Sequence, residues 1–374
     1  MISTSCEDDR LRSFDSGVRR ERQRRTSRYS MLGWALVSFV VVTACSAQTV
    51  RGDGAAVVKT PKPALVVLSK DASELEIVDP ETLQVVGKVG TGPVPHEVAV
   101  SDDGRIALAT NYGAHQAGTT LSVIDLDAQK EIQRVNLMNV IGAQGEKFGD
   151  LLGPHGVEFF DGEFYFTAEG SKKIARYNPS TNAVDWVHEI GQDRTHMLVI
   201  ARGGKTIYTS NVNSDTVTAA EASGDGGKWT NTVIAVGKGP EGIDISPDGK
   251  EVWAANSGDG TVSVIHTATK KVVATVDVGT KHSNRVKFTQ DGNLALLSDI
   301  GSGDLVVVEA RTRKVLKRMK LGSSAEGILM QPGGKRAFVA VSGDNKVDVL
   351  DLKTLEVTGT IATGKDPDGL GWRK

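Results

Sequence analysis

The chain has 374 residues, with 44 Lys and Arg against 46 Asp and Glu, 42 Gly and two Cys. Such a balance argues against tight, charge-driven binding of nucleic acid, and two cysteines cannot staple a scaffold of this size. Length alone suggests two domains, yet no linker composition interrupts residues 64–374, and some all-β architectures run this long as one domain.

In chain order, residues 1–28 hold eight Arg and five acidic residues. Residues 31–44 then form an uncharged, largely apolar run, too short to span a bilayer comfortably and placed behind a basic segment as a secretory signal is. The run closes on Val42-Thr43-Ala44-Cys45, which resembles the bacterial lipoprotein signal, with Cys45 as the lipidated residue. Cleavage after Ala47 is the competing reading, and Val18 is an alternative translation start. Ser46 rather than Asp after the cysteine favours outer-membrane delivery in a two-membrane bacterium. The expected organisation is a leader over residues 1–45, a polar tether over 46–63 and one folded domain over 64–374. Export to the cell envelope follows, with membrane contact through the lipid alone. Both cysteines, Cys6 and Cys45, precede the domain, so it carries no disulfide. Taking eight basic and five acidic residues from the totals leaves 36 against 41, a mildly acidic remainder for which a nucleic-acid partner is not expected.

From residue 64 onward a unit of about forty residues repeats, each copy holding four short apolar or alternating runs parted by Gly, Pro, Asp or Asn turns. The clearest copy begins Pro240-Glu241-Gly242-Ile243, passes Ser246-Pro247-Asp248-Gly249 and Trp253-Ala254-Ala255-Asn256, and continues Thr261-Val262-Ser263-Val264-Ile265. First strands are expected near Pro95, Pro154, Thr195, Pro240, Ser283 and Ala325. A seventh, Asp366-Pro367-Asp368-Gly369-Leu370-Gly371-Trp372, has nothing after it. Residues 64–68, 75–78 and 83–89 supply three strands with no first strand before them. Joined, the two ends make one more sheet. The fold class is all-β, a seven-bladed β-propeller closed by pairing of its N- and C-terminal strands, which hides the edges an open ring would expose. Asp79-Pro80-Glu81-Thr82, Asn178-Pro179-Ser180-Thr181 and Asp351-Leu352-Lys353-Thr354 mark outer hairpins whose Asp or Asn caps the turn.

These motifs resemble the YVTN β-propeller repeat of bacterial and archaeal surface-layer-like and envelope proteins, over residues 64–374. The resemblance implies a secreted or surface-exposed seven-bladed ring and no particular reaction. Blade three, with Phe164-Tyr165-Phe166-Thr167-Ala168-Glu169, departs toward streptogramin B lyase-type blades. Blade six carries Leu296-Leu297-Ser298-Asp299 where the family has an aromatic residue and Asn.

No Gly-x-Ser-x-Gly elbow, phosphate-cradling glycine loop or His-Glu-x-x-His is present. One constellation emerges when the blades are aligned. Near the start of each first strand, seven or eight residues before its turn glycine, stand His96, His155, His196, Glu241, Asn284 and Glu326; Asp368 holds the place in the last copy, and Arg285 follows Asn284. In a propeller the first strand lines the channel, so these eight residues are the candidate ligand site at one mouth. A wet, merely polar mouth is the plainer reading. His96, His155 and His196, with Glu241, are also candidate ligands for a divalent metal, the one cofactor considered; without metal they make a pH-sensitive ion site. The longer stretches 111–120, with Tyr112 and His115, and 136–153 are expected to cover this mouth in part. The expected function is non-catalytic binding of a small molecule or envelope protein. The alternatives are a lactonase- or lyase-like enzyme using the His and carboxylate ring, and an architectural surface protein.

Overall fold

A computed structural model describes residues 59–224 and 227–374. The leader, Cys45 and most of the tether lie outside the described residues. Seven four-stranded antiparallel sheets are present, and a two-stranded one, Val140–Ile141 with Lys147–Gly149, sits in the long link from blade two to blade three. Blade one is the composite: Pro367–Arg373 pairs with Ala64–Ser69 in the register Leu65 with Trp372 and Val67 with Leu370, followed by Glu74–Asp79 and Gln84–Gly90. Blades two to six begin at Pro95, Pro154, Thr195, Pro240 and Ser283 as the repeat predicts. In blade seven the regular strand starts later, at Ile328, although Glu326 N–H still donates to Ala340 O at 2.9 Å.

Seven apolar clusters fill the seven gaps between neighbouring blades. Leu108 and Val123 of blade two meet Phe164 and Tyr177 of blade three, and Leu65 and Val67 of blade one meet Phe338 and Val349 of blade seven. Second and third strands are buried on both faces, whereas fourth strands alternate, as in Lys271–Asp277, because only one of their faces has a neighbour. The outer turns form as expected. Asp79 Oδ1 accepts the N–H groups of Glu81 at 2.8 Å and Thr82 at 3.2 Å, and Asn178 and Asp351 do the same in their blades.

One irregularity recurs and matters for the site. In blades two to six the pairing of first and second strands shifts between first-strand residues one and four, for example between Pro95 and Val98. In blades two, four and six a second-strand hydroxyl takes up a backbone N–H freed there. Thr110 Oγ1 accepts Glu97 N–H at 3.2 Å and donates to His155 O of the next blade at 2.7 Å. Ser210 and Ser298 repeat both bonds, toward Glu241 O and Glu326 O, and Thr167 donates to His196 O at 2.6 Å. Such bulges re-aim side chains, and here the hydroxyls also fix four mouth residues, His155, His196, Glu241 and Glu326, to the preceding blade.

Candidate functional site

All eight residues of the aligned constellation, His96, His155, His196, Glu241, Asn284, Arg285, Glu326 and Asp368, line a single cavity of about 220 Å³ at the channel mouth. Lys70, Tyr112, Arg194, His282 and Ile300 line it too. These additions follow two further rules of the repeat. Lys70, Tyr112 and Ile300 each come directly after a second strand, as does Glu169. Arg194 and His282 stand two places before a mouth residue, as does Asp366. A backbone bond ties the two positions within a blade: Lys70 N–H donates to Asp366 O at 2.9 Å, Tyr112 to Val94 O at 3.1 Å, Val212 to Arg194 O and Ile300 to His282 O at 3.0 Å. The mouth is therefore three stacked tiers of side chains, of which one is visible when only first strands are aligned.

On one wall, Lys70 Nζ lies 2.5 Å from Glu326 Oε2 and 3.5 Å from both Asp366 and Asp368. Burial works against the Lys70 ammonium, but the charges of Asp368, Glu326 and Asp366 outweigh it and raise its pKa. The two carboxylates separate. Burial and the Asp368 charge push Glu326 above the ordinary carboxylate range. Asp368 is also buried, yet Lys70, Arg285 and His96 together hold it well below that range. Asp368 Oδ2 is 3.3 Å from His96 Nδ1, and the side chains are 2% and 20% exposed.

The histidines pack against one another. His155 Nε2 is 3.2 Å from His96 Nδ1, and the rings of His155 and His196 lie 3.9 Å apart at 34°. Tyr112, from the longer 111–120 stretch, sets its ring 4.7 Å from His96 and 5.1 Å from His155. Burial, then the neighbouring His196, His96, Arg285 and Arg194, keep His155 well below the ordinary histidine value, so it is neutral at pH 7. Its Nδ1 is buried without a hydrogen-bond partner. His196 Nδ1 and Arg194 Nε both approach Glu169 Oε1, at 3.2 and 2.7 Å. These bonds, with Tyr112, overcome burial and lower Glu169 to about 2. His282 Nε2 is 3.3 Å from Glu241 Oε1.

The metal expectation needs correction. Among the described residues, no three His, Cys, Asp or Glu side chains are arranged to hold an ion. His96, His155, His196 and Glu241 do share a wall, but neighbouring blades place the imidazoles side by side. His96 Nδ1 meets His155 Nε2, His196 Nδ1 meets Glu169, and Glu241 meets His282, so these groups do not converge on a common centre. His115 is exposed and outside the cavity. The 136–153 link meets the 111–120 stretch through Gly153 N–H to Gly118 O at 2.8 Å. Beside the mouth they border a second hollow of about 220 Å³, with Tyr112 and Arg194 common to both.

The bore is crossed below the cavity. Arg285 of blade six pairs with Glu97 of blade two, and their side chains are 4% and 12% exposed. Deeper still, Lys287 Nζ stands 3.6 Å from Asp244 Oδ1. Burial raises nearby Glu158 to about 7 against the partly compensating charge of Lys287. Sequence alignment of blades could not show the Arg285–Glu97 pair, because its partners lie 188 residues apart.

A family model described as "Lactonase, 7-bladed beta-propeller" matches residues 165–370. No curated protein matches the chain in sequence. Among solved structures, a putative 6-phosphogluconolactonase from Bacteroides uniformis is similar with a TM-score of 0.69 at 16% identity, over 83% of this chain and 99% of that one. The periplasmic gluconolactonase PpgL of Pseudomonas aeruginosa gives 0.66 at 15%, over 83% and 99%. Kuenenia stuttgartiensis hydrazine synthase gives 0.61 at 18%, over 74% and 88%. At these identities the structures speak for the fold alone. The family match corrects two expectations: the seven blades stand, but the matching family is not that of the YVTN repeat, and it is named for an enzyme rather than for non-catalytic binding.

Proposed function

The chain belongs to the lactonase family of seven-bladed β-propellers, and from that premise we propose that its channel mouth opens a small lactone by attack of water. The observation that carries the reading is the His96–Asp368 pair on the cavity wall. Ionised Asp368 holds the His96 Nδ1–H, which leaves Nε2 as the proton acceptor of a general base. Water adds to the ring carbonyl while its proton passes to His96, and the carbonyl oxygen gains negative charge. Collapse then breaks the ring C–O bond and yields a hydroxy acid. Arg194 is the cation we assign to the oxyanion: its Nε is bonded to Glu169, but its side chain is 38% exposed, the most open Lys or Arg of the cavity lining. Lys70 is committed to three carboxylates and Arg285 to Glu97 and Asp368. A cavity of about 220 Å³ falls below the range of about 300–1,000 Å³ typical of drug-sized ligands, which favours a small lactone of one or two rings.

Location is part of the proposal. The leader and Cys45 support an envelope protein held by lipid, and the similar Pseudomonas protein is described as periplasmic.

The test is acid release in a pH-stat with glucono-δ-lactone, γ-butyrolactone and dihydrocoumarin. His96→Ala should lower kcat/KM by about 100-fold or more, in keeping with loss of a general base. A wild-type protein that accelerates no lactone, or a His96→Ala variant with full activity, would sink the reading.

A further inference from the structure

Opening a ring ester needs a proton for the departing alkoxide as well as a base for the water. The mechanism above assigns the base and leaves the donor open. Resting on that lactonase reading, we propose that His282 is the general acid that protonates the leaving ring oxygen, with Glu241 orienting its imidazole and Asp299 fixing the loop that carries it.

Three observations converge on this residue. His282 lines the same cavity as His96, and its side chain is 49% exposed, so the ring exchanges protons with solvent between turnovers. Its Nε2 faces Glu241 Oε1 at 3.3 Å, and that carboxylate is 7% exposed. With Nε2–H engaged there, Nδ1–H is the proton left to give. The third observation is a concerted departure of blade six from its neighbours. In blades two, four and five the second strand ends in Asn111, Asn211 or Asn256. The Asn amide donates to third-strand hydroxyls, Thr120 and Ser122, Thr216 and Thr218, or Thr261 and Ser263. Blade six has Asp299 in that place and offers Asp304 and Val306 where the hydroxyls would be.

The fully buried Asp299 turns to the loop instead. It accepts the N–H groups of Lys281 and His282 at 2.8 Å, that of Gly301 at 2.9 Å, and the Ser302 hydroxyl at 2.7 Å. An amide has one acceptor oxygen and could not take this many donors; a carboxylate has two. The charged groups facing the ring are Glu241 and Asp299, which favour the imidazolium, and Arg194, which opposes it. The Glu241 bond is the largest influence, and the His282 pKa is raised above the ordinary value of 6.5. The rival donor, Glu326, is engaged by Lys70 at 2.5 Å.

The step balances without a further reagent. As the acyl C–O bond breaks, its electron pair takes the Nδ1 proton of His282 and becomes the product hydroxyl. The water oxygen remains in the new carboxyl group. His96 returns its proton to solvent and His282 takes one back.

Leaving-group chemistry separates this role from a structural one. γ-Butyrolactone expels an aliphatic alkoxide that needs the proton, whereas dihydrocoumarin expels a phenolate that leaves without it. His282→Ala should lower kcat about 100-fold on γ-butyrolactone and less than about tenfold on dihydrocoumarin. Asp299→Asn should show a smaller loss with the same selectivity, and the half-exposed position of His282 keeps the first variant folded. Equal losses on both substrates in His282→Ala would overturn the general-acid assignment and leave the lactonase reading standing. A wild-type protein inactive on every lactone would overturn both.

Discussion

Replacing Lys70 with Met tests whether the mouth is an electrostatic unit or only a polar surface. The ammonium is 9% exposed and stands between Glu326 and Asp368, whose side chains are 9% and 2% exposed. Removing one member of a buried ion cluster costs about 3–5 kcal/mol when the remaining charge is stranded. Two features reduce that here: Asp368 keeps His96 and Arg285, and Glu326 can take up a proton. We expect a loss of about 2–3 kcal/mol, seen as a fall of roughly 3–5 °C in Tm for a domain of this size. The loss should depend on pH in a definite direction. Because the Glu326 pKa is raised by folding, the folded protein holds a proton that the unfolded chain releases, and stability falls as pH rises across that interval. Lys70 opposes the rise, so its removal widens the interval. Thermal melts of Lys70→Met should therefore lie closer to wild type at pH 5 than at pH 8. In a Glu326→Gln background the penalty should shrink at both. A penalty independent of pH and unchanged by Glu326→Gln would refute the reasoning.

Deleting residues 366–374 removes the strand that pairs with Ala64–Ser69, together with Trp372, which stacks on Phe338 at 5.9 Å. The truncated chain should aggregate or melt far lower, and a wild-type melting curve would contradict the closure register. Gly369→Ala places a Cβ 2.3 Å from His96 O on the neighbouring blade, so it should cost about 1–3 kcal/mol by overpacking. An unchanged denaturation midpoint would show that the blades stand further apart than described. Cys45→Ser should free the protein from the membrane fraction, since the proposed anchor is a single thiol; lipid labelling that persists in the variant would exclude Cys45.

The fold was legible because the repeat writes it seven times, and the same turns that separate strands in sequence, such as Asp79–Thr82, are the ones whose side chains cap them. One tier of the mouth was legible for the same reason: His96, His155 and their counterparts occupy one register. Lys70, Arg194 and His282 were missed because the alignment stopped at first strands. Extending it to the residue after each second strand and to the place two before each mouth residue would have found them. The imidazole geometry was not legible at all. Whether rings converge or stack depends on the bulge beneath each one and on hydroxyls such as Thr110 and Ser210, which sit in a different strand. Asp299 was noticed as a departure from the repeat, but its meaning required the loop bonds that only folding assembles.

The Arg285–Glu97 pair ties blade six to blade two across the bore and so narrows the passage beside the mouth. If the proposed chemistry holds, a hydroxy-acid anion held near Arg194 would delay the next substrate, and product release would then set the pace of turnover. Glu158, Asp244 and Lys287 lie further along the bore, touch nothing that enters the mouth cavity, and act on it through their charges.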